Sequence, residues 1–348
     1  MNILVTGNTG YIGPVLIKYL RSKHFDQTYY GYDTGFFHRD LISKYENNDR
    51  LYDVQYWGDL RHFDEKKLDG IDTIIHLAAI SNDPMGNSFE RVTEEINYKC
   101  SIKLAKYAKK HGVKNFVFAS SCSVYGSSGN DIKSECDDLD PLTAYARSKI
   151  AVEKELSEIS SDQFIITSLR FATACGWSPR LRLDLVLNDF VASAIVSKKI
   201  NILSDGSPWR PLIDVNDMSR AIDWAMSRTK SNGGKYLSLN VGSNSWNYKI
   251  SDLAQTVSSE IQGVEVEINQ NAAPDKRSYR VDFSLFEKLA PDYQPTMKLE
   301  DTVKDIYRNL LENDFNIFNF RSSNFIRLNV LNNLIENNYL DKNLNWKK

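Results

Sequence analysis

Three glycines at a spacing of three residues, Gly7, Gly10 and Gly13, lie between two apolar runs near the start of the chain. The run 3–5 before them predicts a β-strand, and the run 15–20 after them predicts a buried helix. A strand-to-helix turn without side chains lets the backbone approach a diphosphate, and the N–H groups at the helix start bind its negative charge. The turn therefore predicts a dinucleotide site.

An acidic residue follows this turn at the spacing expected for a ribose contact. Asp33 ends the next strand-like run, 28–32, about 20 residues after the last glycine. A carboxylate there can accept hydrogen bonds from the adenosine ribose and repels the extra phosphate of NADP. The alternative is a surface turn followed by a solvated aspartate, but the joint pattern favours an NAD site.

Composition excludes several other classes of protein. The 348-residue chain has 42% hydrophobic residues, 25% charged residues and a net charge of −2, so it offers no basic field for nucleic acid. No apolar run could span a bilayer and the first residues lack a basic signal-peptide stretch, so we expect a cytoplasmic protein without a membrane partner. The cysteines form no C-x-x-C pair, which favours reduced thiols and no metal site; they are Cys100, Cys122, Cys136 and Cys175.

Apolar strands alternate with helical stretches through the first half of the chain. The predicted strands are 2–6, 28–33, 53–57, 72–77, 114–119 and 164–170, and the predicted helices include 87–110 and 141–158. Strands joined by crossover helices run parallel, and strands that are apolar throughout indicate a sheet covered on both faces. The predicted fold class is α/β, a doubly wound parallel sheet of the Rossmann type.

A second motif, Tyr145-x-x-x-Lys149, lies in the predicted helix 141–158, where this spacing places both side chains on one face. A nearby ammonium favours the phenolate of a tyrosine, which can then take a proton from a hydroxyl group. The serine-rich run 120–123 lies upstream, at the end of a predicted strand. Alone, Tyr-x-x-x-Lys is commonly a surface pair; together with the glycine turn and the serine run it predicts a catalytic pair.

These motifs, in this order, resemble those of the short-chain dehydrogenase/reductase superfamily, in its extended branch of nucleotide-sugar epimerases and dehydratases. The resemblance covers roughly residues 1–310. It implies an NAD-binding Rossmann domain over 1–175, to which some later segments return, and a smaller α/β substrate-binding lobe over 176–312. The rest, 313–348, is assigned to a C-terminal helical extension, because Leu331, Leu334 and Ile335 recur at helical spacing.

The resemblance also implies roles for individual residues at the cofactor. Ser121 falls where the family has the serine or threonine that hydrogen-bonds the reacting hydroxyl. Asp59 matches an aspartate that meets the adenine, although it could instead cap a helix. Asn97 matches a position that braces the cofactor side, and Thr173 one that approaches the nicotinamide amide. The catalytic set is Ser121, Tyr145 and Lys149; the NAD-binding set is Gly7, Gly10, Tyr11, Ile12, Gly13, Asp33, Asp59, Leu60, Ala78, Ala79, Asn97, Tyr145, Lys149 and Thr173.

A nucleotide-sugar carries a diphosphate, which arginine binds through its fork of donors. Four arginines in predicted loops are candidates, and two of them, Arg210 and Arg277, match positions where the family holds the pyrophosphate and the nucleoside ribose. An arginine in a loop is as commonly just solvated. The predicted substrate-binding set is Ser81, Asn82, Ser123, Arg180, Arg182, Arg210 and Arg277.

Cys122 and Ser123 occupy the two positions where sugar 4,6-dehydratases of the family carry Asp-Glu, and neither replaces a carboxylic acid. Cys122 is interpreted as a wall residue, with proton transfer as the alternative. The expected activity is NAD-dependent epimerisation of a nucleotide-activated sugar by transient hydride removal at C4, in surface-polysaccharide biosynthesis. A 4-dehydrogenase or reductase of the GDP-heptose type, which releases a keto-sugar, shares the first half-reaction and stays open. A catalytically inactive NAD-sensing module is a remote alternative.

The segment 94–108 predicts a mode of assembly. One helical stripe holds Ile96, Cys100, Leu104 and Ala108, and a second holds Tyr98, Ile102 and Ala105. A helix that covers a sheet needs one apolar stripe, so the second could meet a partner. With the family resemblance, this predicts a homodimer through this helix and the Tyr145 helix. The alternative is a helix buried on two sides within one chain.

Overall fold

A parallel sheet forms the centre of the protein in the computed structural model, which describes residues 1–43, 46–127, 131–269, 271–272 and 278–347. The strands are β1 (Asn2–Thr6), β2 (Thr28–Asp33), β3 (Val54–Trp57), β4 (Thr73–His76), β5 (Asn115–Ser121), β6 (Ile132–Lys133), β7 (Ile165–Phe171), β8 (Thr173–Cys175), β9 (Lys199–Ile202), β10 (Trp209–Asp214), β11 (Tyr236–Val241), β12 (Asn247–Lys249), β13 (Glu265–Ile268) and β14 (Arg280–Val281). Seven of them form the central sheet in the order β11-β7-β5-β4-β1-β2-β3.

Helices cover both faces of this sheet, and others lie beside it. The helices are α1 (Gly13–Lys23), α2 (Asp83–Ser88), α3 (Glu90–Thr93), α4 (Ser101–Lys110), α5 (Ala144–Ile159), α6 (Val186–Val196), α7 (Val215–Met226), α8 (Ile250–Glu260), α9 (Ser284–Leu289), α10 (Leu299–Glu312) and α11 (Arg327–Glu336). A π-helical segment, Glu94–Cys100, joins α3 to α4. The predicted helix 87–110 is therefore several elements, since the backbone leaves helical geometry at Phe89.

The strand order reverses direction at β1, which pairs with β2 on one side and β4 on the other, both in parallel. Ligands of open α/β sheets bind at the carboxyl ends of the strands beside such a switch point. Every pairing within the central sheet is parallel, so the predicted Rossmann-type fold class is confirmed. The predicted strands agree with the observed ones to within two residues.

Two apolar cores sandwich the sheet. On one face, α1 and α7 bury Leu16, Leu20 and Ile222 against the strands. On the other face, α4 and α5 bury residues that include Leu104 and Val152. The central strands are apolar because both of their faces are covered.

The contacts of α4 contradict the prediction that its second apolar stripe is free for a partner. Ile102 is 5% exposed and Ala105 is fully buried, and both lie in the same core as Val152 and Leu156 of α5. The described outward positions of α4 are lysines, among them Lys103 and Lys106. The second stripe is therefore covered within the chain, and the prediction that it is free for a partner is wrong.

The second half of the chain builds a smaller assembly beside the sheet. The strands β8, β10 and β12 form a three-stranded sheet, and β9 pairs with β13. The helices α6, α8 and α10 share a separate core there. Within 176–312, β11 lies in the central sheet and α7 packs on it, in keeping with later segments that return to the first half. The exact domain limits stay a prediction.

The C-terminal extension is folded against the rest of the protein, and α11 is the docked helix that the leucine spacing predicts. Leu331, Leu340 and Leu344 are fully buried. They share a core with residues that follow β2 and β4, including Phe36 and Ile80. Across the described residues, none of the helices is long and apolar enough to cross a membrane.

Candidate active site

A cleft of about 510 Å³ opens at the carboxyl ends of the central strands, at the switch point beside β1. Its lining includes the glycine turn after β1, the end of β2, the segment after β4 and the end of β5. The predicted site residues that line it are Gly7, Gly10, Tyr11, Ile12, Asp33, Asp59, Leu60, Ala78, Ala79, Ser81, Asn82, Ser121, Ser123, Tyr145, Lys149, Thr173, Arg182 and Arg210. The fold thus brings most of the predicted residues to one cleft.

The three predicted catalytic residues come from β5 and α5. Ser121 is the last residue of β5, and Tyr145 lies in the first turn of α5. That helix begins where the Thr143 side chain accepts a hydrogen bond from the backbone N–H of Ala146, at 3.2 Å. Lys149 follows one turn later, and its Nζ donates to the carbonyl oxygen of Ala119 at 2.6 Å. Strand end and helix start therefore aim all three residues into the cleft.

Burial decides the protonation of this group. It raises the pKa of Tyr145 to about 12, and the nearby carboxylate of Asp83 adds to the rise. The charge of Arg182 and a hydrogen bond with Ser121 act in the opposite direction. Burial also lowers the pKa of Lys149 to about 7, against the influence of Glu153. The residues of the chain alone therefore keep Tyr145 protonated at neutral pH, and more positive charge is needed to make it a base.

A buried polar network fixes α5 to the sheet below the catalytic residues. Glu153, one turn after Lys149, accepts a hydrogen bond from Arg170 Nη2 at 2.7 Å and another from the Ser120 hydroxyl. Arg170 Nη1 in turn donates to the hydroxyl of Tyr125 at 3.0 Å. Charged groups that are buried this deeply are stable only when paired, so this network holds the height and rotation of α5.

The glycine turn has the shape of a diphosphate cradle. Gly7 has φ +72, and a Cβ atom there would lie 2.6 Å from the Cα of Ala78. A Cβ on Gly13 would lie 1.9 Å from the carbonyl oxygen of Asn8, so this glycine sets the packing of α1 on the turn and does not line the cleft. No side chain caps the first turn of α1 among the described residues, which leaves its N–H groups to an anion. The residues present fit a dinucleotide.

Asp33 ends β2 beside this cradle. Its carboxylate accepts hydrogen bonds from the backbone N–H of Thr9 at 3.0 Å and of Gly35 at 2.7 Å. Burial raises its pKa, and those hydrogen bonds oppose the rise. Asp33 therefore links the glycine turn to the loop after β2 and presents its carboxylate to the same end of the cleft.

Two residues that were predicted to bind the cofactor have structural contacts instead. Asp59 lines the cleft, but its carboxylate caps the short helix Leu60–His62 and pairs with Arg61 Nη2 at 2.6 Å, as the capping alternative expected. Asn97 does not line the cleft. Its side chain bonds the backbone N–H of Ile80 at 2.8 Å and the carbonyl oxygen at 3.0 Å, so it braces the segment that does.

Arg182 and Arg210 are the predicted substrate residues with guanidinium groups at the cleft. Arg182 donates to both carboxylate oxygens of Asp184 at 2.9 Å and to Ser81 Oγ at 3.2 Å. Arg210 lies 5.6 Å from the ring centroid of Tyr279. The loop after β8 and the strand β10 thus give the cleft two cationic positions.

Other predicted substrate residues lie elsewhere or serve the local fold. Arg180 is fully buried outside the cleft lining and its guanidinium pairs with Asp49 at 2.6 Å, so the structure does not bring it to the site. Arg277 lies outside the described residues. The amide of Asn82 donates to Asp184 at 2.6 Å while its oxygen caps α2. The backbone N–H of Ser123 bonds Ser121 Oγ at 3.1 Å.

Cys122 lies beneath the site. Its side chain is fully buried, does not line the cleft, and its Sγ donates to the carbonyl oxygen of Arg170 at 3.1 Å. Burial raises the pKa of the thiol far above its usual value. These contacts favour the interpretation of Cys122 as a packing residue over that of a proton donor.

A comparison of the sequence with protein families identifies the family of this chain. The model of the NAD dependent epimerase/dehydratase family matches residues 3–242, which is more than half of the chain. The chain belongs to this family. NAD is its cofactor, and the chain is an enzyme of the NAD-dependent epimerase/dehydratase class.

Several known proteins are similar to this chain in sequence or in structure. The uncharacterized UDP-glucose epimerase YtcB of Bacillus subtilis is 30% identical over 235 residues, which are 64% of this chain and 71% of YtcB. The low-salt glycan biosynthesis protein Agl12 of Haloferax volcanii is 24% identical over 86% of this chain and 96% of its own length. The structure of UDP-glucuronic acid 4-epimerase from Bacillus cereus in complex with NAD superposes with a TM-score of 0.74, at 24% identity, over 90% of this chain and 97% of that one.

The cleft of this epimerase/dehydratase also contains residues that the sequence analysis missed. They are Asp83, Asp184, Tyr279 and Arg327. Asp184 stands two residues after Arg182, so the alternation of charge in that loop was a usable signal. Arg327 lies in an asparagine-rich segment, far along the chain from every motif, and nothing in the sequence indicated it. The cleft can therefore hold a dinucleotide, orient a hydroxyl at Tyr145 and bind an anion at its arginines.

Proposed function

We propose that this protein is an NAD-dependent epimerase that inverts a nucleotide-activated sugar at C4 by transient hydride removal, in the biosynthesis of surface polysaccharide. The observation that carries this proposal is the convergence of Ser121, Tyr145 and Lys149 on a cleft whose other end holds the glycine turn and Asp33. The names of YtcB and of the Bacillus cereus enzyme support epimerisation at a sugar, and the name of Agl12 supports a role in glycan synthesis.

The chain's own residues handle the proton. Tyr145 Oη takes the proton of the C4 hydroxyl, and Ser121, which hydrogen-bonds Tyr145, holds the same sugar oxygen. Lys149 and Arg182 place positive charge near the phenol and favour its ionised form. When bound, NAD supplies the acceptor for the hydride and a further positive charge in the cleft. Inversion requires the keto-sugar to present its other face before Tyr145 returns the proton.

The sugar nucleotide lies at the end of the cleft that Arg210 and Tyr279 line. The guanidinium of Arg210 binds the diphosphate. Arg277 lies outside the described residues, and its contact with the substrate stays a prediction from the sequence. Arg182 lies near Tyr145, because it lines the cleft and its charge lowers the pKa of the phenol. The positions after Ser121, where the resembling dehydratases carry two acids, hold a buried thiol and a serine, which supports epimerisation over dehydration.

The deciding experiment follows a label through the reaction. The protein is incubated with UDP-, dTDP-, CDP- and GDP-sugars that carry deuterium at C4, and the products are analysed by NMR and mass spectrometry. An epimerase gives the inverted sugar with the deuterium retained and no net NADH. Stoichiometric NADH with a keto-sugar would instead establish a dehydrogenase. A second run in deuterated water is the control for enolisation, since uptake on ring carbons would indicate 3,5-epimerisation.

We further propose that the protein is a homodimer through the paired outer faces of α4 and α5. These faces carry charge: Lys106 forms an ion pair with Glu155 within the chain at 3.6 Å, and Lys103 and Glu158 are exposed beside that pair. A two-fold interface can pair such groups between copies. Light scattering at micromolar concentration tests the oligomeric state, and a monomer would end the proposal. Lys103→Glu is the suitable interface variant, because Lys103 is exposed, whereas Ile102 is buried and Lys106 pairs with Glu155 within the chain.

A further inference from the structure

The last residues of the C-terminal extension pack on the loops at the cofactor end of the cleft, outside the cleft lining. Trp346 Nε1 donates to the carbonyl oxygen of Thr34 at 2.8 Å, and the Trp346 ring centroid lies 5.7 Å from that of Phe36. Thr34 and Phe36 directly follow Asp33 and line the cleft. The extension therefore packs on the loop that forms one side of the adenosine end.

The same segment reaches the other side of that end. Arg61 donates to the carbonyl oxygens of Asn343 and Leu344, at 2.7 and 2.9 Å, and it pairs with Asp59 of the cleft lining. The residues after β2 and those after β3 are thus joined through one stretch of the extension. Because Leu340 and Leu344 are fully buried, this stretch cannot lift without exposing apolar surface to water.

The extension also contributes a buried cation to the cleft. Arg327 is 2% exposed and lines the cleft, with its Cζ 4.5 Å from the ring centroid of Phe37. Its Nη2 donates to the carbonyl oxygen of Arg180 at 2.9 Å. Its Nη1 lies 3.6 Å from Asp40 Oδ2, beyond hydrogen-bond distance, and has no hydrogen-bond partner among the described residues.

This state of Arg327 differs from that of its two neighbours. Arg180 and Arg182 each donate two short hydrogen bonds to one carboxylate, whereas Arg327 faces the carboxylate of Asp40 without a hydrogen bond to it. Arg180 also has an unpartnered nitrogen, Nε, but Arg180 lies outside the cleft lining, whereas Arg327 is part of it. Burial and the charge of Arg182 lower the pKa of Arg327 to about 10. A buried donor without a partner is costly, and a phosphate oxygen is the acceptor that a guanidinium prefers.

We propose that the C-terminal extension is part of the NAD site: Arg327 binds a phosphate oxygen of the dinucleotide, and the stretch 340–347 holds the loops after β2 and β3 closed around the adenosine end from outside the cleft lining, so that NAD leaves only when the extension releases them. Arg327 belongs to the cofactor and not to the sugar nucleotide because its ring contact, Phe37, lies four residues after Asp33. Arg210 and Tyr279 serve the other end.

A cofactor that is released slowly suits a cycle in which the same molecule takes and returns the hydride. A dehydrogenase, by contrast, must exchange or reoxidise its cofactor in every turnover. The closure therefore deepens the proposed epimerase function, on which this last step rests. The proposal that the extension binds NAD does not rest on the epimerase function, since NAD binding requires no sugar.

The test measures NAD on the full-length protein without any sugar. The affinity is measured by calorimetry after the bound nucleotide has been removed, and the release rate by displacement with excess labelled NAD. Arg327→Gln should weaken NAD at least about tenfold, because a charged hydrogen bond to phosphate is lost. Trp346→Ala, which touches no proposed ligand contact, should speed NAD release several-fold. The matched control is Arg321→Gln, whose exposed guanidinium on the same extension pairs with Asp189 at 2.6 Å and should leave NAD binding unchanged.

The outcomes separate the proposal from its rivals. UDP, dTDP, CDP and GDP are titrated in parallel; a loss of nucleoside-diphosphate binding in Arg327→Gln with normal NAD affinity would assign Arg327 to the substrate and overturn the proposal. Normal binding of all ligands would give Arg327 a structural role only, and would overturn it as well. If Arg327→Gln fails to fold, an unchanged release rate in Trp346→Ala refutes the closure. Failure to epimerise any sugar, with these NAD effects intact, refutes the proposed function alone.

Discussion

The two walls of the cleft carry their functional groups in different ways. The catalytic wall, formed by the end of β5 and the start of α5, presents Ser121, Tyr145 and Lys149 from regular elements. The arginine wall, formed by the loop 178–185 and the C-terminal extension, presents Arg182 and Arg327 from segments far apart in the chain. Chemistry on a regular element leaves a short, fixed spacing in the sequence, whereas chemistry assembled from loops leaves none.

The walls also differ in how they are held. Below the catalytic wall, the buried pair Glu153–Arg170 ties α5 to the sheet through short hydrogen bonds. On the arginine wall, Arg182 is held by Asp184, whose carboxylate also faces the cleft. A guanidinium with a charged partner at the cleft surface can share its donors with an incoming anion. The pair that holds the arginine wall therefore lines the cleft itself, whereas the pair that holds the catalytic wall lies outside the lining.

The largest effect is expected on the catalytic wall, at Tyr145. Tyr145→Phe removes the proposed base and keeps the ring, so hydride transfer should fall at least about a hundredfold while NAD affinity is retained. Single-turnover formation of NADH from the labelled sugar measures the step, and calorimetry measures NAD binding. Tyr107→Phe, at a half-buried position of α4 outside the cleft lining, is the control and should be neutral. Near-normal turnover of Tyr145→Phe would move the proton transfer to another residue and remove the contrast between the walls.

The next effect tests whether the arginine wall also tunes the chemistry. The charge of Arg182 lowers the pKa of Tyr145, so Arg182→Gln should raise that pKa. Because the base acts in its deprotonated form, the rising limb of the pH profile of kcat should move to higher pH. For each pH unit of this shift, kcat near pH 7 should fall about tenfold. Arg182→Lys keeps the charge and is the control. A higher KM with an unmoved pH profile would give Arg182 a binding role alone.

The contrast between the walls explains what the sequence could predict of the fold. Strands covered on both faces, such as β1 and β5, contain short apolar runs, Ile3–Val5 and Phe116–Phe118, and their bounds were predicted to within two residues. The stripe on α4 was misjudged because an apolar residue looks the same whether its own chain or a partner covers it. Ile102 packs beside α5, and only the tertiary contact tells the two cases apart.

The same reasoning applies to the site. The glycine turn and the Tyr145–Lys149 pair were predictable because each lies within one local unit. Arg180 and Arg182, by contrast, stand in the same loop with the same chemistry, yet one pairs with Asp49 outside the cleft and the other lines it. Which way a loop side chain points depends on packing from distant segments, which the sequence does not display.

A smaller effect is expected at the cofactor end, where the walls meet. Asp33→Asn removes the negative charge and keeps one acceptor oxygen, which can serve the N–H group of Thr9 or that of Gly35 but not both. NAD affinity should fall several-fold and NADP affinity should rise, since the repulsion of the extra phosphate is lost. Titration of both dinucleotides measures the ratio of NAD affinity to NADP affinity. Asp33→Ala should also reduce this ratio. Tighter binding of NADP than of NAD by the unaltered protein would contradict the assignment of Asp33.

The smallest effect is expected at Cys122, directly behind the catalytic wall. Cys122→Ala removes one buried sulfur atom from a core position, so a loss of stability on the order of 1 kcal/mol should appear in denaturant unfolding. The rate should stay within about twofold of normal, because the thiol does not line the cleft and burial holds its pKa far above neutral. Cys122→Ser is the matched variant that keeps a donor for the carbonyl oxygen of Arg170. A large loss of rate in the alanine variant, with the fold intact, would make Cys122 a proton donor and extend the catalytic wall beneath its visible surface.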